Sequence, residues 1–305
     1  MNSLHVKEVG QLPIIAGGFI FNSPEFQSLK RGKSRYFVLF DQERPIARIC
    51  FWINNDQAIS GHQATFGSID AESPLSEEKA KYFIEQVINT LRIDRLDEVI
   101  LRHWPAAYAT SDGFHKSFLA LGFLLVGSEV NQHLVVTKDD FYQIVNKNQH
   151  SKIRQTHNRG YYFKALSINE LPDVYQLISK TLTRKGYSVS MTYEYLFKTI
   201  SLMPTKYLLF GLFDKSKLIS ATVSVCISQE ILYNFYHADD SSYRTSSPLV
   251  RLIQEIYIYC QQNGIGILDL GISSENGLIN PGLFNFKKNL GCASSEKNTY
   301  RWRYD

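Results

Sequence analysis

The chain has 305 residues, too many for one comfortable core and a good length for two domains of roughly 150 residues each. Its 44% hydrophobic and 20% charged content is ordinary for a folded globular protein, and a net charge of only +4 excludes a strongly electrostatic nucleic-acid binder as its global character. The longest apolar runs, such as Tyr207 to Phe213, fall far short of a membrane span.

In chain order, the start, from Met1 to His5, has no basic stretch followed by an apolar core, so a cytoplasmic protein is expected. Ser23-Pro24 opens a short helix over Glu25 to Lys30. Arg35 to Phe40 and Ile46 to Ile53 are β-rich runs parted by a turn at Asp41 to Pro45, and a third strand is expected over His62 to Ile69. Ser76 caps a helix through Arg92, with Phe83, Val87, Ile88 and Leu91 at helical spacing. A strand at Val99 to Leu101, a helix around Phe114 to Leu121, and strands at Phe123 to Val126 and His133 to Val136 follow. Asp139 to Asn158 reads as a connecting helix.

The second half opens with a strand at Tyr161 to Leu166, a helix from Asn169 carrying Val174, Leu177, Ile178 and Leu182, and a helix at Tyr193 to Ile200. Strands follow at Tyr207 to Phe213, Leu218 to Ile227 and Ile231 to His237. Ser247-Pro248 opens a long helix to Gln262, stopped by Asn263-Gly264. A strand at Ile267 to Leu270, a helix before Gly291 and a last strand around Thr299 to Tyr304 complete the chain.

One layout is written twice. Arg95 to Gly122 reads as strand, loop and helix ending in Leu121-Gly122, and Gly264 to Gly291 repeats it at an offset of 169 residues. The same offset carries Phe66 onto Phe235. A fixed internal offset points to two copies of one α/β unit, here 1–138 and 161–305, joined by a basic segment at 139–160.

The element order is that of the GNAT acyltransferase fold, occurring twice. Three segments add detail: Asn22-Ser23-Pro24-Glu25-Phe26-Gln27-Ser28-Leu29-Lys30, Thr181-Leu182-Thr183-Arg184-Lys185-Gly186-Tyr187, and Asn280 to Gly291 with Phe286-Lys287 before Leu290-Gly291. Together they resemble the Fem family of aminoacyltransferases, tandem-GNAT enzymes that add amino acids from aminoacyl-tRNA to peptidoglycan precursors. The first segment departs from the family pattern in having Asn22 for Gln and Phe26 for Trp.

The resemblance implies that Lys30 and Arg184 contact the diphosphate of a nucleotide-linked acceptor, with Tyr187 and Phe286 as the aromatic residues of their segments, and that Lys287 lies near the acyl-transfer centre. The residue chemistry is compatible. A helix-end lysine is a mobile point charge, and a guanidinium can grip two phosphate oxygens at once. An ammonium beside a carbonyl oxygen stabilises the charge that builds there during acyl transfer. Each also has a plain reading: Lys30 and Arg184 as helix-end cations favoured by the dipole, and Lys287 as the solvated neighbour of a core Phe286.

Alternation along Tyr233 to Ala238 puts Tyr233, Phe235 and His237 on one face and Asn234 and Tyr236 on the other. Tyr236 is a candidate substrate contact, His237 a candidate proton carrier and Asp269 a candidate for orienting an amine. A structural tyrosine, a satisfied histidine and a turn-forming acid are the competing readings.

GNAT enzymes that use acetyl-CoA hold its diphosphate on a Gly-rich loop at a helix start. The matching stretch, Tyr243 to Pro248, contains no glycine, and Pro248 lacks an amide donor. Phe141 to Asn169 carries Lys147, Lys152, Arg154, Arg159 and Lys164 with no carboxylate, either a surface for the tRNA acceptor arm or a solvated face. The four cysteines (Cys50, Cys226, Cys260, Cys292) show no CxxC pattern, and no metal motif is present, so buried thiols and no metal are expected. The expected protein is thus an acyltransferase moving an aminoacyl or other acyl group to an amine, with aminoacyl-tRNA or acyl-CoA as the donor and an envelope glycan precursor as one candidate acceptor. A non-catalytic binding module on the same fold is the alternative.

Overall fold

A computed structural model describes residues 4–93, 96–109 and 113–304. Met1 to Ser3 and Arg95, where the first copy of the repeated layout opens, lie outside the described residues. The elements are β1 (Leu4–Val9), α1 (Pro24–Ser28), β2 (Lys33–Asp41), β3 (Arg44–Asn54), β4 (Gln57–Ile59), β5 (Asp70–Ala71), α2 (Glu77–Arg92), β6 (Glu98–Arg102), α3 (Gly113–Ala120) and β7 (Leu124–Val135). Then follow α4 (Phe141–Ile144), α5 (Lys147–Asn158), β8 (Tyr162–Leu166), α6 (Leu171–Arg184), α7 (Tyr193–Leu202), β9 (Tyr207–Asp214), β10 (Lys217–Cys226) and β11 (Ile231–Asp239). The last are α8 (Pro248–Gln262), β12 (Ile267–Ile272), β13 (Ser274–Glu275), β14 (Leu278–Ile279), α9 (Pro281–Asn289) and β15 (Ala293–Arg303).

Two compact units emerge, and neither is a single run of chain. Unit 1 comprises Met1–Asn131, Ser274–Ile279 and Ser295–Asp305, and unit 2 comprises Gln132–Ser273 and Asn280–Ser294. These bounds differ from a division at 138 and 160, because the last strand returns to the first unit.

In unit 1 the sheet order is β1-β2-β3-β4-β6-β15-β7, with β5 beside β3. β4 and β6 are parallel, while β15 runs antiparallel to β6, with Thr299 opposite Arg102 and Arg303 opposite Glu98. α2 starts where Ser76 Oγ accepts from Lys79 N, and it buries Phe83, Ile84, Val87, Ile88 and Leu91, one stripe at helical period. The strand expected over His62 to Ile69 is not one. β4 and β5 flank it, and the backbone turns out at Gly61 (φ 70°), Gln63 (φ 51°) and Ser68 (φ 72°). Gly61 and Gly67 close this loop backbone to backbone, since a Cβ on Gly67 would lie 2.1 Å from Gly61 N. Phe66 is buried beside Phe19, Phe21 and Tyr108.

In unit 2 the order is β7-β12-β11-β10-β9-β8. The core gathers Phe210, Leu212, Ile219, Leu232, Ile253, Ile256 and Tyr257, so α8 covers one sheet face. α6 packs on β10 and β11, where Ser220, Thr222 and Ser224 alternate with Ile219, Ala221 and Val223 and are equally buried. Two further expectations need correction. β7 is one strand where two were expected, because the polar stretch Gly127 to Gln132 stays extended. The connecting helix is two helices, since Asp140 caps α4 and Asn146 caps α5 by accepting from Asn148 N.

α3 and α9 close in the same way. Phe123 N bonds Phe118 O and Gly122 N bonds Leu119 O; 169 residues on, Cys292 N bonds Lys287 O and Gly291 N bonds Lys288 O. Both glycines have positive φ, the C-terminal cap that glycine permits.

Candidate active site

Parallel pairing of β11 and β12 lasts for three residue pairs, Ile231 with Ile267, Leu232 with Leu268 and Tyr233 with Asp269. β11 then continues to Asp239 and β12 to Ile272 without further pairing between them, so backbone groups beyond Tyr233 face a gap in the ladder. Lys287, from α9, enters here. It is 2% exposed, and its ammonium donates to Gly271 O and Ile272 O, both at 2.8 Å. An ammonium has three donors, so one N–H remains. Burial pulls Lys287 down to about 8, against the upward pull of Asp269. Phe286, a core residue only in the plain reading, is partly buried.

Asp269 is buried and accepts from Gly271 N at 2.6 Å, which fixes the turn at Gly271 (φ 78°). Its charge acts on His133 as well as Lys287. His237 keeps some accessible surface but is closely surrounded by protein. That burial, with Lys185 and Lys287 nearby, pushes its imidazole down to about 3. At neutral pH such a ring holds one proton and does not take up a second, which weighs against proton carriage through the imidazolium. Tyr236 turns to the other face. Its hydroxyl bonds Ser190 Oγ and accepts from Met191 N at 3.2 Å, and burial raises its pKa.

Arg184 ends α6, where Gly186 N bonds Thr183 O and Tyr187 N bonds Leu182 O. The guanidinium donates to Asp239 Oδ1 at 3.3 Å and lines a cleft of about 710 Å³ between α6, β8, the β9–β10 turn and the end of β11. Tyr187 is half exposed. In unit 1, Lys30 donates to Gln63 O at 2.6 Å and lies 4.2 Å from the centre of the Phe26 ring. It is partly exposed, yet burial still lowers it to about 7.

Sequence reasoning missed three participants. His133 is buried with no partner for Nδ1, Lys185 is lowered by burial and acts on His237, and Cys292 is pushed up to about 12 by burial beside Lys287. The signal for Cys292 was available, since the residue after a Gly cap folds back on the helix. For His133 there was none, because β7 shows no clear alternation. At the start of α8, Ser247 (φ 50°) makes no side-chain cap and Pro248 follows. Among the described residues no cluster has the makings of a metal site. No helix among them is long and apolar enough to cross a membrane.

Compared with solved structures, the protein superimposes on FemX with a TM-score of 0.73, covering 94% of this chain and 93% of that chain at 12% identity. The chain has a Fem-like GNAT fold. The structure of L-PGS from Bacillus licheniformis matches at TM-score 0.55 and 12% identity over 84% of this chain and 80% of that one. A tandem GNAT protein from the clavulanic acid biosynthesis pathway matches at 0.52 and 11% identity over 89% and 83%. At such identities the likeness is one of fold: two GNAT-like domains on an acyltransferase-like scaffold. No family model and no curated protein matches the sequence.

Proposed function

We propose that the protein is an acyltransferase that moves an aminoacyl or related acyl group from an activated ester to an amine, with aminoacyl-tRNA as donor and an envelope precursor as acceptor. The observation that carries this reading is the buried Lys287 ammonium, with one N–H uncommitted, at the place where β11 and β12 stop pairing. The acceptor amine attacks the ester carbonyl carbon and the carbonyl oxygen takes up negative charge. The C–O bond to the leaving group then breaks, and the amine's proton ends on the departing oxygen. Lys287 stabilises the intermediate charge with the donor it has left, in a site where water is scarce. Asp269 holds the Gly271 turn that aims it, and Tyr236 and Phe286 border the substrate.

The test is turnover followed by mass spectrometry, with aminoacyl-tRNA or acyl-CoA as donor and amine acceptors with and without a diphosphate. Lys287→Ala is expected to lower kcat by about 10²-fold or more with KM little changed, because the oxyanion exists mainly in the transition state. Transfer from acyl-CoA alone would select a CoA-dependent enzyme. Binding without transfer from any donor would select the non-catalytic module.

A further inference from the structure

The geometry points to a binding site in the unit 2 cleft for a short linear zwitterion, a molecule with an ammonium at one end, a carboxylate at the other and an uncharged middle. The cleft, about 710 Å³, has the size of a small-molecule site. Its charges are balanced: the lining includes four cations and four carboxylates. Six of these eight neutralise one another, as Lys164 with Glu170 at 2.5 Å, Arg184 with Asp239 at 3.3 Å and Lys217 with Asp240 at 2.8 Å. Asp173 and Lys180 are left, and neither has an ion-pair partner among the described residues.

These two lie on one stripe of α6, seven residues apart, about 10.5 Å along the axis. Leu177, also in the lining, stands between them on that stripe, and Leu166 and Leu218 add apolar surface. The helix dipole accounts for a carboxylate in the first turn of α6, but it leaves the Asp173 oxygens uncommitted. The cleft therefore offers one free negative charge and one free positive charge, their backbone positions about 10.5 Å apart along α6, with apolar wall between. A polyanion meets as many carboxylates as cations here and gains little. A chain of about three extended residues spans roughly 10–11 Å from end to end, which matches the separation. The inference goes beyond the acyl-transfer reading, since it holds whether or not Lys287 is catalytic.

Titration calorimetry on the full chain tests it with triglycine, acetyl-triglycine, triglycine amide and inorganic pyrophosphate. Triglycine is expected to bind, and each singly blocked form about tenfold more weakly or worse, a loss of ~1.4 kcal/mol. Asp173→Asn should make triglycine and acetyl-triglycine equal, and Lys180→Gln should make triglycine and its amide equal. Both side chains are exposed, so thermal melting should show the variants folded. No heat from triglycine at millimolar concentration, preference for pyrophosphate, or affinities that ignore both substitutions would overturn the proposal. Because the readout is binding, it fails or succeeds separately from any measurement of acyl transfer.

Discussion

Lys287 inverts the plain reading of its own dipeptide. In Phe286-Lys287 the lysine is the buried member and the phenylalanine keeps some exposure. A nine-residue helix in which only Lys287 is buried carries no hydrophobic stripe to say which face turns inward. The resemblance singled the residue out, but nothing in the sequence could show that two backbone carbonyls await it. Burial holds its folded pKa near 8, against about 10.4 for a free lysine. If the charged form serves catalysis, kcat should fall as pH rises through about 8. Lys287→Arg, charged at every accessible pH, should lose that alkaline limb while keeping measurable rate. Stability has the opposite slope. Between about 8 and 10.4 the unfolded chain binds a proton that the folded one does not, so this residue's contribution rises with pH across that window. Chemical denaturation of the wild type and Lys287→Met at several pH values checks this: the variant should lack the rise.

At the scale of elements, the sequence is clearest where one local rule decides. Ser76, Pro248 and the two Leu-Gly pairs mark helix ends, and the helix ends lie there. It misleads where tertiary structure decides. Phe66 sits in a stretch expected to be a strand, but a backbone contact between Gly61 and Gly67 turns that stretch into a loop. β7 carries a polar middle that reads as a break, yet its strand neighbours keep it extended. The two helix caps that look alike in sequence also differ in their surroundings. A Cβ on Gly122 would meet nothing nearer than Trp302 Nε1 at 3.7 Å, whereas one on Gly291 would lie 2.4 Å from Ile144 O. Both Gly→Ala changes force a side chain into positive φ, a cost of about 1 kcal/mol. Gly291→Ala must also displace α4 from the end of α9, adding about 1–3 kcal/mol as in overpacked cores. Equilibrium unfolding should therefore rank Gly291→Ala well below Gly122→Ala, and equal losses would show that the α4 contact is readily displaced.

At the scale of the whole molecule, the path of the chain matters more than its halves. β15 is the last strand in sequence, yet in unit 1 it lies between β6 and β7. Its Tyr300 is fully buried, with its hydroxyl 2.6 Å from His115 Nδ1, and Trp302 Nε1 donates to Leu121 O at 3.0 Å. His103 N also takes its partner, Asn298 O, from this strand. A chain ending at Ser294 would keep every residue of unit 2 and lose the interior strand of unit 1, leaving the edge of β6 that faced β15 unpaired and Phe118 without its Tyr300 neighbour. An unpaired buried ladder costs about 1–3 kcal/mol per group, several times over, against a total stability of only ~5–15 kcal/mol. The fluorescence of the remaining tryptophans isolates the effect, because Trp52 and Trp104 both belong to unit 1. Truncation at Ser294 should shift their emission to that of solvated indole while far-ultraviolet circular dichroism keeps the helical signal of α6 and α8. Adding a peptide of residues 293–305 should restore the blue-shifted emission. A truncated chain whose Trp104 stayed buried without the peptide would mean that β6 and β7 can close on one another, and that the last strand is dispensable to the unit it completes.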